Sequence, residues 1–154
     1  MKIYLGADHR GFELKQKVFA YLEKRGYTVE DCGAKAYDKD DDFPIYAQAA
    51  CLKLLGDQDT EDSRAILMCG GGQGVAMAAN RFKGIRAVVI RDREEIIQAR
   101  KDNNANVLAL PADILEKDDQ RTAAIINAFL SAEFAGLERY TRRNKMIDEL
   151  GGGI

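Results

Sequence analysis

The sequence predicts an α/β fold in which helices cover both faces of a five-stranded parallel sheet. Short apolar runs alternate with amphipathic segments of helical period from one end of the chain to the other. Strands that are separated by helices are joined by right-handed crossovers, and such crossovers produce a parallel sheet. One apolar run, Ala65–Cys69, passes directly into the glycine-rich turn Gly70–Gly74, which is typical of a strand that leads into a helix.

The individual elements follow from local patterns and from the residues at their ends. The apolar runs predict strands over Ile3–Gly6, Tyr27–Cys32, Ala65–Cys69, Ile85–Ile90 and Asn106–Leu110. The amphipathic segments predict helices over Phe12–Lys24, Pro44 to about Leu55, Gln73–Phe82, Asp92 to about Lys101, Gln120–Ala132 and Leu137–Leu150. Gly26 ends the first helix, Pro44 suits the first turn of the second, and Asp92 can cap the fourth. We expect a solvated acidic loop at Asp38–Asp42 and a frayed end at Gly151–Gly153.

Composition limits the class of protein. With 154 residues, of which 46% are hydrophobic and 31% charged, residues 1–154 are expected to form one soluble globular domain. A net charge of −2 predicts no general attraction to nucleic acid, and no segment has the length of a membrane span. The first residues run straight into a strand pattern, so no signal peptide is expected.

The cysteines and the histidine bear on redox state and on metals. Cys32, Cys51 and Cys69 are widely spaced and form no CxxC pair. Their odd number and their spacing predict free thiols in a reducing cytoplasm rather than disulfides or a cysteine zinc site. Because His9 is the single histidine, a histidine-rich metal site is not expected either.

The carboxyl edge of the predicted sheet is where a ligand is expected, because parallel α/β sheets bind ligands there. Bare backbone amides at Gly70–Gly74 favour an anion, and the same positive potential favours a reactive thiolate at Cys69. The alternatives are a structural turn and an inert buried thiol. The turn lacks the P-loop and dinucleotide patterns and is only weakly similar to adenosylmethionine sites. One glycine would be enough for a tight turn, so four glycines favour a ligand.

Two further pairs of residues have both a structural and a functional interpretation. Asp8 and His9 follow the first strand, where they would either cap a helix or orient hydroxyls and move protons. Arg139 and Arg143 lie four apart on a predicted helix. They form either a solvated basic face or a grip on a shared anion such as a phosphate.

Six motifs occur in one order along nearly the whole chain. They are Gly6–Gly11, Asp42–Pro44, Cys69–Gly74, Ala78–Arg81 with Gly84–Arg86, Asn103–Leu108, and Arg139 with Arg143. Together they resemble the ribose-5-phosphate isomerase B family, which includes the galactose-6-phosphate isomerase subunits. The resemblance implies a three-layer Rossmann-like α/β sandwich and a homodimer or tetramer with sites at the subunit interface. The C-terminal helix, at about 137–150, would reach a partner subunit.

The resemblance also implies an activity and residue roles. The reaction would be aldose–ketose isomerisation of a phosphorylated sugar, of the pentose phosphate pathway type, without metal or cofactor. Cys69 matches the thiol that moves a proton between C1 and C2 through an enediolate, and the amides of the glycine turn would stabilise the enediolate oxygens. Substrate contacts are implied for Asp8, His9, Gly70, Gly71, Gly72, Gln73, Gly74 and Asn103, and phosphate contacts for Arg139 and Arg143.

Four residues depart from the family pattern. Gly71 stands where Ser or Thr is usual, and Phe43 replaces a common Tyr. Asp102 stands where most members have a histidine associated with opening of the sugar ring, and it becomes the second catalytic candidate. Asp113 stands where a ligand-binding Arg is usual. A carboxylate at 102 would repel a phosphate unless its pKa is raised or its side chain turns away.

These departures keep several functional alternatives open. One is a substrate that needs no ring opening, such as a tetrose 4-phosphate, and another is a hexose 6-phosphate. A third is a two-gene enzyme whose catalytic residues are divided between unlike subunits. The last is a non-catalytic paralogue that binds a phosphosugar without turning it over.

Overall fold

The central sheet has five parallel strands, as the sequence predicts. The computed structural model describes residues 1–57 and 62–151. Its strands are β1 (Lys2–Ala7), β2 (Thr28–Asp31), β3 (Arg64–Cys69), β4 (Ala87–Val89) and β5 (Val107–Pro111). They lie in the order β2-β1-β3-β5-β4, and every neighbouring pair is parallel. The carboxyl ends of all five strands therefore lie at one edge of the sheet.

Seven helices and one 3₁₀ turn surround the sheet in the part of the chain that the structure describes. The helices are α1 (Phe12–Lys24), α2 (Phe43–Gly56), α3 (Gln73–Ala79), α4 (Arg93–Asn103), α5 (Ala112–Leu115), α6 (Asp119–Ser131) and α7 (Glu138–Glu149). Asp92 caps α4 as predicted, because its carboxylate accepts a hydrogen bond from the Glu95 amide at 3.0 Å. The 3₁₀ turn at His9–Gly11 and helix α5 are too short to show a helical period in the sequence.

Alternate residues of each strand face opposite layers of the core. Ile66 and Met68 of β3 belong to an apolar cluster with α1, α4, α5 and α6, whereas Leu67 and Cys69 belong to a second cluster with α2 and α3. Helices thus cover both faces of the sheet, and the predicted three-layer architecture is confirmed. Among the described residues, every helix is too short or too polar to cross a lipid bilayer.

Two predicted elements extend too far. The third helix ends at Ala79 rather than Phe82, and the fourth strand starts at Ala87 rather than Ile85. Both differences have one cause, the pairing of the Asn80 side chain with the Ala87 backbone. Asn80 Oδ1 accepts a hydrogen bond from the Ala87 backbone N–H at 2.8 Å, and Asn80 Nδ2 donates one to the Ala87 carbonyl at 2.9 Å. This pairing turns the chain between the two elements. Of the predicted C-terminal glycines, 152 and 153 lie outside the described residues.

Candidate active site

The residues that follow β1 and β3 lie side by side at the carboxyl edge of the sheet. Ala7 pairs with Met68 in register, so Asp8 and Cys69 end neighbouring strands. Asp8 is only 5% exposed, and its Oδ1 atom accepts a hydrogen bond from the Gly11 amide at 3.1 Å. A Cβ at Gly11 would overlap the Met68 carbonyl, so glycine allows the 3₁₀ turn to pack directly against β3. The sequence prediction that these groups share one edge is correct.

The glycine turn places its backbone between Cys69 and the start of α3. Cys69 is 6% exposed and pairs in register with Pro111. Gly72 adopts a φ of 75°, a left-handed conformation that glycine reaches without strain. Gly71, by contrast, is exposed, and a Cβ there would meet only the Gln73 side chain, at 3.8 Å. The turn is therefore closely packed at some of its positions and open at another.

An ion pair that the sequence does not predict lies over this turn. The Arg10 guanidinium donates a hydrogen bond to the Asp113 carboxylate, and a Cβ at Gly70 would overlap that guanidinium. The Asp113 amide also donates a hydrogen bond to the Gly70 carbonyl at 3.0 Å. Asp113, which departs from the family pattern, thus holds an arginine that comes from the 3₁₀ turn. The position of Arg10 directly after Asp8 and His9 is the only sequence feature that points to it.

His9 is held by a carboxylate from the predicted acidic loop. Asp41 Oδ1 lies 2.6 Å from His9 Nδ1 and accepts the His9 backbone amide at 3.1 Å. The Asp41 side chain is only 6% exposed, so the expectation of a fully solvated loop at Asp38–Asp42 is wrong at this residue. Burial raises the pKa of Asp41, but hydrogen bonds from His9 and Tyr46 outweigh it, and the pKa lies below its ordinary value.

Asp8, His9 and Asp41 form a compact group that could hold a cation. One potential ligand atom from each lies within 4.8 Å of the others. Carboxylate oxygens and an imidazole nitrogen suit several divalent metals. The His9 and Asp41 side chains are already hydrogen-bonded to each other, and the Asp8 carboxylate accepts a hydrogen bond from the Gly11 backbone amide. The same groups can equally accept hydrogen bonds from the hydroxyls of a polar ligand or donate hydrogen bonds to them.

The remaining predicted site residues lie at the opposite edge of the sheet. Helix α4 runs back from the end of β4, so Asp102 and Asn103 at its C-terminal end lie near the strand starts. The Asn103 carbonyl accepts a hydrogen bond at 3.1 Å from Arg86, the residue before β4. The five residues of strand β5 run from one edge of the sheet to the other and span roughly 13 Å. This separation exceeds the length of an extended five-carbon sugar phosphate.

Arg139 and Arg143 lie one turn apart on the exposed side of α7, which packs against α4. Hydrogen bonding to Tyr140 raises the pKa of Arg139, and the nearby Asp102 carboxylate adds to this effect. The Asp102 carboxylate also accepts a hydrogen bond from Gln98 at 2.6 Å. Arg139 and Asp102 therefore lie near each other, at the end of α4 opposite to the edge that carries Cys69.

The fold and the thiol, imidazole and glycine turn at its carboxyl edge define an α/β enzyme that acts on a small polar molecule. Comparison with known sequences gives the family. The chain belongs to the Ribose/Galactose Isomerase family, whose sequence profile matches residues 3–147. It is therefore an aldose–ketose isomerase, an intramolecular oxidoreductase. The resemblance seen in the sequence motifs is confirmed.

Two curated relatives have different substrates in their names. Ribose-5-phosphate isomerase B of Mycolicibacterium paratuberculosis is 36% identical over 149 residues, which cover 97% of this chain and 91% of the relative. D-erythrulose-4-phosphate isomerase of Pectobacterium atrosepticum is 38% identical over 136 residues, which cover 88% of this chain and 86% of the relative. The chain is thus similar to enzymes for sugar phosphates of different length.

Solved structures share the whole architecture. A ribose 5-phosphate isomerase from Thermotoga maritima has a TM-score of 0.88 and 39% identity, covering 97% of this chain and 98% of its own. Ribose-5-phosphate isomerase B from Mycoplasma genitalium, solved with bound ribulose-5-phosphate, has a TM-score of 0.86 and 34% identity. That match covers 95% of this chain and 93% of the other.

Proposed function

We propose that this isomerase acts on a phosphorylated sugar by moving a proton between C1 and C2 through an enediolate. The observation that carries this proposal is the position of the Cys69 thiol, between the glycine turn and the buried Asp8. Cys69 would remove the proton as a general base. The backbone amides of Gly70–Gly74 would stabilise the enediolate oxygens, and Asp8 and His9 would contact the sugar hydroxyls.

Ribose 5-phosphate is the first candidate substrate. The name of the Mycolicibacterium relative and the ligand of the Mycoplasma structure support it. A tetrose 4-phosphate is the second candidate, and the Pectobacterium relative supports it. The phosphate of a tetrose 4-phosphate blocks the hydroxyl that would close a furanose ring. Asp102, which stands in place of a histidine associated with ring opening, suits such a substrate.

We also propose that the single-domain chain forms a homodimer, or a tetramer, with its sites at the subunit interface. Within one chain, α7 packs against α4 and Arg139 lies near Asp102, at the edge of the sheet opposite to Cys69. Helix α7 leaves Met146 and Ile147 exposed, as is Leu150 directly after it, and only Asn144 of the helix is buried. An amphipathic helix with so little buried surface favours contact with another subunit. A second copy would bring its α4 and α7 to the Cys69 edge.

The three unpaired thiols support a cytoplasmic location, since oxidising compartments favour disulfides. The reaction as proposed uses no metal and no cofactor. Assembly with an unlike subunit that supplies the missing groups is the alternative interpretation of Gly71 and Asp102.

The proposal is tested by proton NMR of the purified protein with ribose 5-phosphate or erythrose 4-phosphate in heavy water. We expect deuterium at C2 together with the ketose product, and a rate that falls by about 10²–10⁴ in Cys69→Ala. Cys51→Ala is the matched control, because burial raises the pKa of the Cys51 thiol to about 12 and keeps it protonated. The faster sugar identifies the substrate class. Ketose formation at the wild-type rate in Cys69→Ala would refute the proposed role of Cys69 as the base.

A further inference from the structure

The contact between His9 and Asp41 joins the only imidazole of the chain to a buried carboxylate. His9 lies 32 residues from Asp41 in sequence, and their side chains meet at 2.6 Å. The same Asp41 oxygen also accepts the His9 backbone amide, so side chain and backbone of one residue are fixed together. The His9 side chain keeps 22% of its surface exposed, whereas Asp41 keeps 6%. A substrate can therefore reach the ring but hardly the carboxylate.

The protonation of this pair follows from the chemistry of its members. Hydrogen bonds from His9 and Tyr46 favour the ionised form of Asp41 over the neutral form. An ionised carboxylate can only accept hydrogen bonds, so the proton between the two residues belongs to His9 Nδ1. With Nδ1 occupied by Asp41, Nε2 is the ring nitrogen that stays available to a ligand.

We propose that Asp41 is a positioning residue that fixes the His9 ring in the tautomer whose Nε2 atom exchanges protons with a sugar hydroxyl. In that exchange Nε2 takes the hydroxyl proton and leaves an alkoxide. The resulting imidazolium keeps its Nδ1 proton on Asp41, and the Nε2 proton returns to oxygen in the reverse step. The inference rests on the proposed isomerase function and adds a residue to its site.

The groups around His9 agree with this role. Asp8 adds a second carboxylate within 4.8 Å, so an imidazolium formed during turnover faces two acidic residues. Tyr37 packs edge-on against the ring, with centroids 6.0 Å apart. Tyr46, from α2, contributes to the ionisation of Asp41. Asp8 and Asp41 thus both favour a positive charge on the ring, and Tyr46 acts on the ring only through Asp41.

Nitrogen NMR of the protein labelled with ¹⁵N-histidine tests the tautomer directly, since His9 gives the only ring signals. In the neutral ring of the free wild-type protein we expect a protonated Nδ1 and an unprotonated Nε2. In Asp41→Asn we expect the population to shift toward the Nε2-protonated form. A wild-type ring protonated at Nε2 would overturn the proposal, and this readout needs no variant that might unfold.

Kinetics of the same variants test the consequence for turnover. We expect Asp41→Asn to lower kcat by at least roughly 10-fold with little change in KM, because the loss affects proton transfer rather than binding. Asp40→Asn is the matched control: it makes the same charge change at an exposed neighbour and should retain wild-type kcat. Equal kcat in the two variants, or a lower kcat with an unchanged tautomer, would contradict the assignment of Asp41.

The two proposals can fail separately. If Cys69→Ala keeps the wild-type rate but the His9 ring has the predicted tautomer, the positioning role of Asp41 stands and the proposed mechanism is wrong. If isomerisation is found and the tautomer is reversed, the function stands and the role of Asp41 is wrong.

Discussion

At the scale of single residues, two glycines near the site are crowded for different reasons. A Cβ at Gly11 would overlap the Met68 carbonyl, which is part of the rigid backbone of β3. A Cβ at Gly70 would overlap the guanidinium of Arg10, which is the end of a flexible side chain. The Arg10 and Asp113 side chains are each 54% exposed, so their ion pair contributes little to stability. The same substitution should therefore have unequal effects at the two positions.

We expect Gly11→Ala to destabilise the protein by about 1–3 kcal/mol or more, because the 3₁₀ turn must move away from β3. Gly70→Ala should lower the free energy of unfolding by less than about 1 kcal/mol, because Arg10 can swing out. Urea unfolding of the two variants measures both values. A larger loss for Gly70→Ala than for Gly11→Ala would show that the Arg10 side chain is more rigidly held than its exposure indicates.

At the scale of elements, Arg100 connects the end of α4 to two neighbouring segments. The buried guanidinium donates hydrogen bonds to the Asn104 side chain and the Ala105 carbonyl, both at 2.7 Å, and to the Ala132 carbonyl at 3.1 Å. Burial, together with the positive charges of Arg64 and Arg86, lowers the pKa of Arg100 to about 10, so it stays charged at neutral pH. Arg100 therefore fixes the C-terminal end of α4, where Asn103 lies, against the segments that follow α4 and α6.

Arg100→Met is expected to lower the free energy of unfolding by about 2–4 kcal/mol, because it leaves several buried acceptors without a donor. Arg100→Lys should lower the free energy of unfolding by less, since an ammonium can donate to some of these acceptors. It cannot reproduce the planar arrangement of donors in a guanidinium. Thermal or denaturant unfolding provides the measurement. If the methionine variant is as stable as the wild type, relief from burying the charge offsets the lost hydrogen bonds.

The elements also show which parts of the site can be predicted from sequence. Cys69, Asp8 and His9 are predictable because strand patterns locate the strand ends and parallel strands bring those ends to one edge. The roles of Asp41 and Arg10 come from side-chain contacts across 32 and 103 residues, which leave no local pattern. The early end of α3 has the same origin, since it depends on the Asn80 contact with Ala87.

At the scale of the whole molecule, the candidate residues form two groups at opposite edges of the sheet. Asp8, His9 and Cys69 form the first group, and Asn103, Arg139 and Arg143 form the second. In an isologous dimer, the first group of each subunit can meet the second group of the other subunit. The dimer then has two symmetry-related sites. The proposed assembly can therefore be tested with pairs of inactive variants.

We expect Cys69→Ala and Arg143→Ala, refolded together in equal amounts, to recover about a quarter of wild-type activity. Random pairing makes half of the dimers mixed, and each mixed dimer has one intact site. The control pair Cys69→Ala with His9→Ala changes the same group of residues, so no mixed dimer has an intact site and no activity should return. The assay is the isomerase rate before and after mixing. Equal recovery in both pairs would exclude a site shared between subunits.

The open position at Gly71 has a consequence for how this enzyme can diverge. At Gly74 a new side chain would meet the Phe43 ring at 2.7 Å, and at Gly72 it would be strained by the positive φ. At Gly71 it would meet only Gln73, in ordinary contact. Natural variation can thus add a hydroxyl to the turn in one step without loss of fold. Among these three glycines, Gly71 is therefore the position at which directed evolution of substrate range can vary the turn with the least cost to folding.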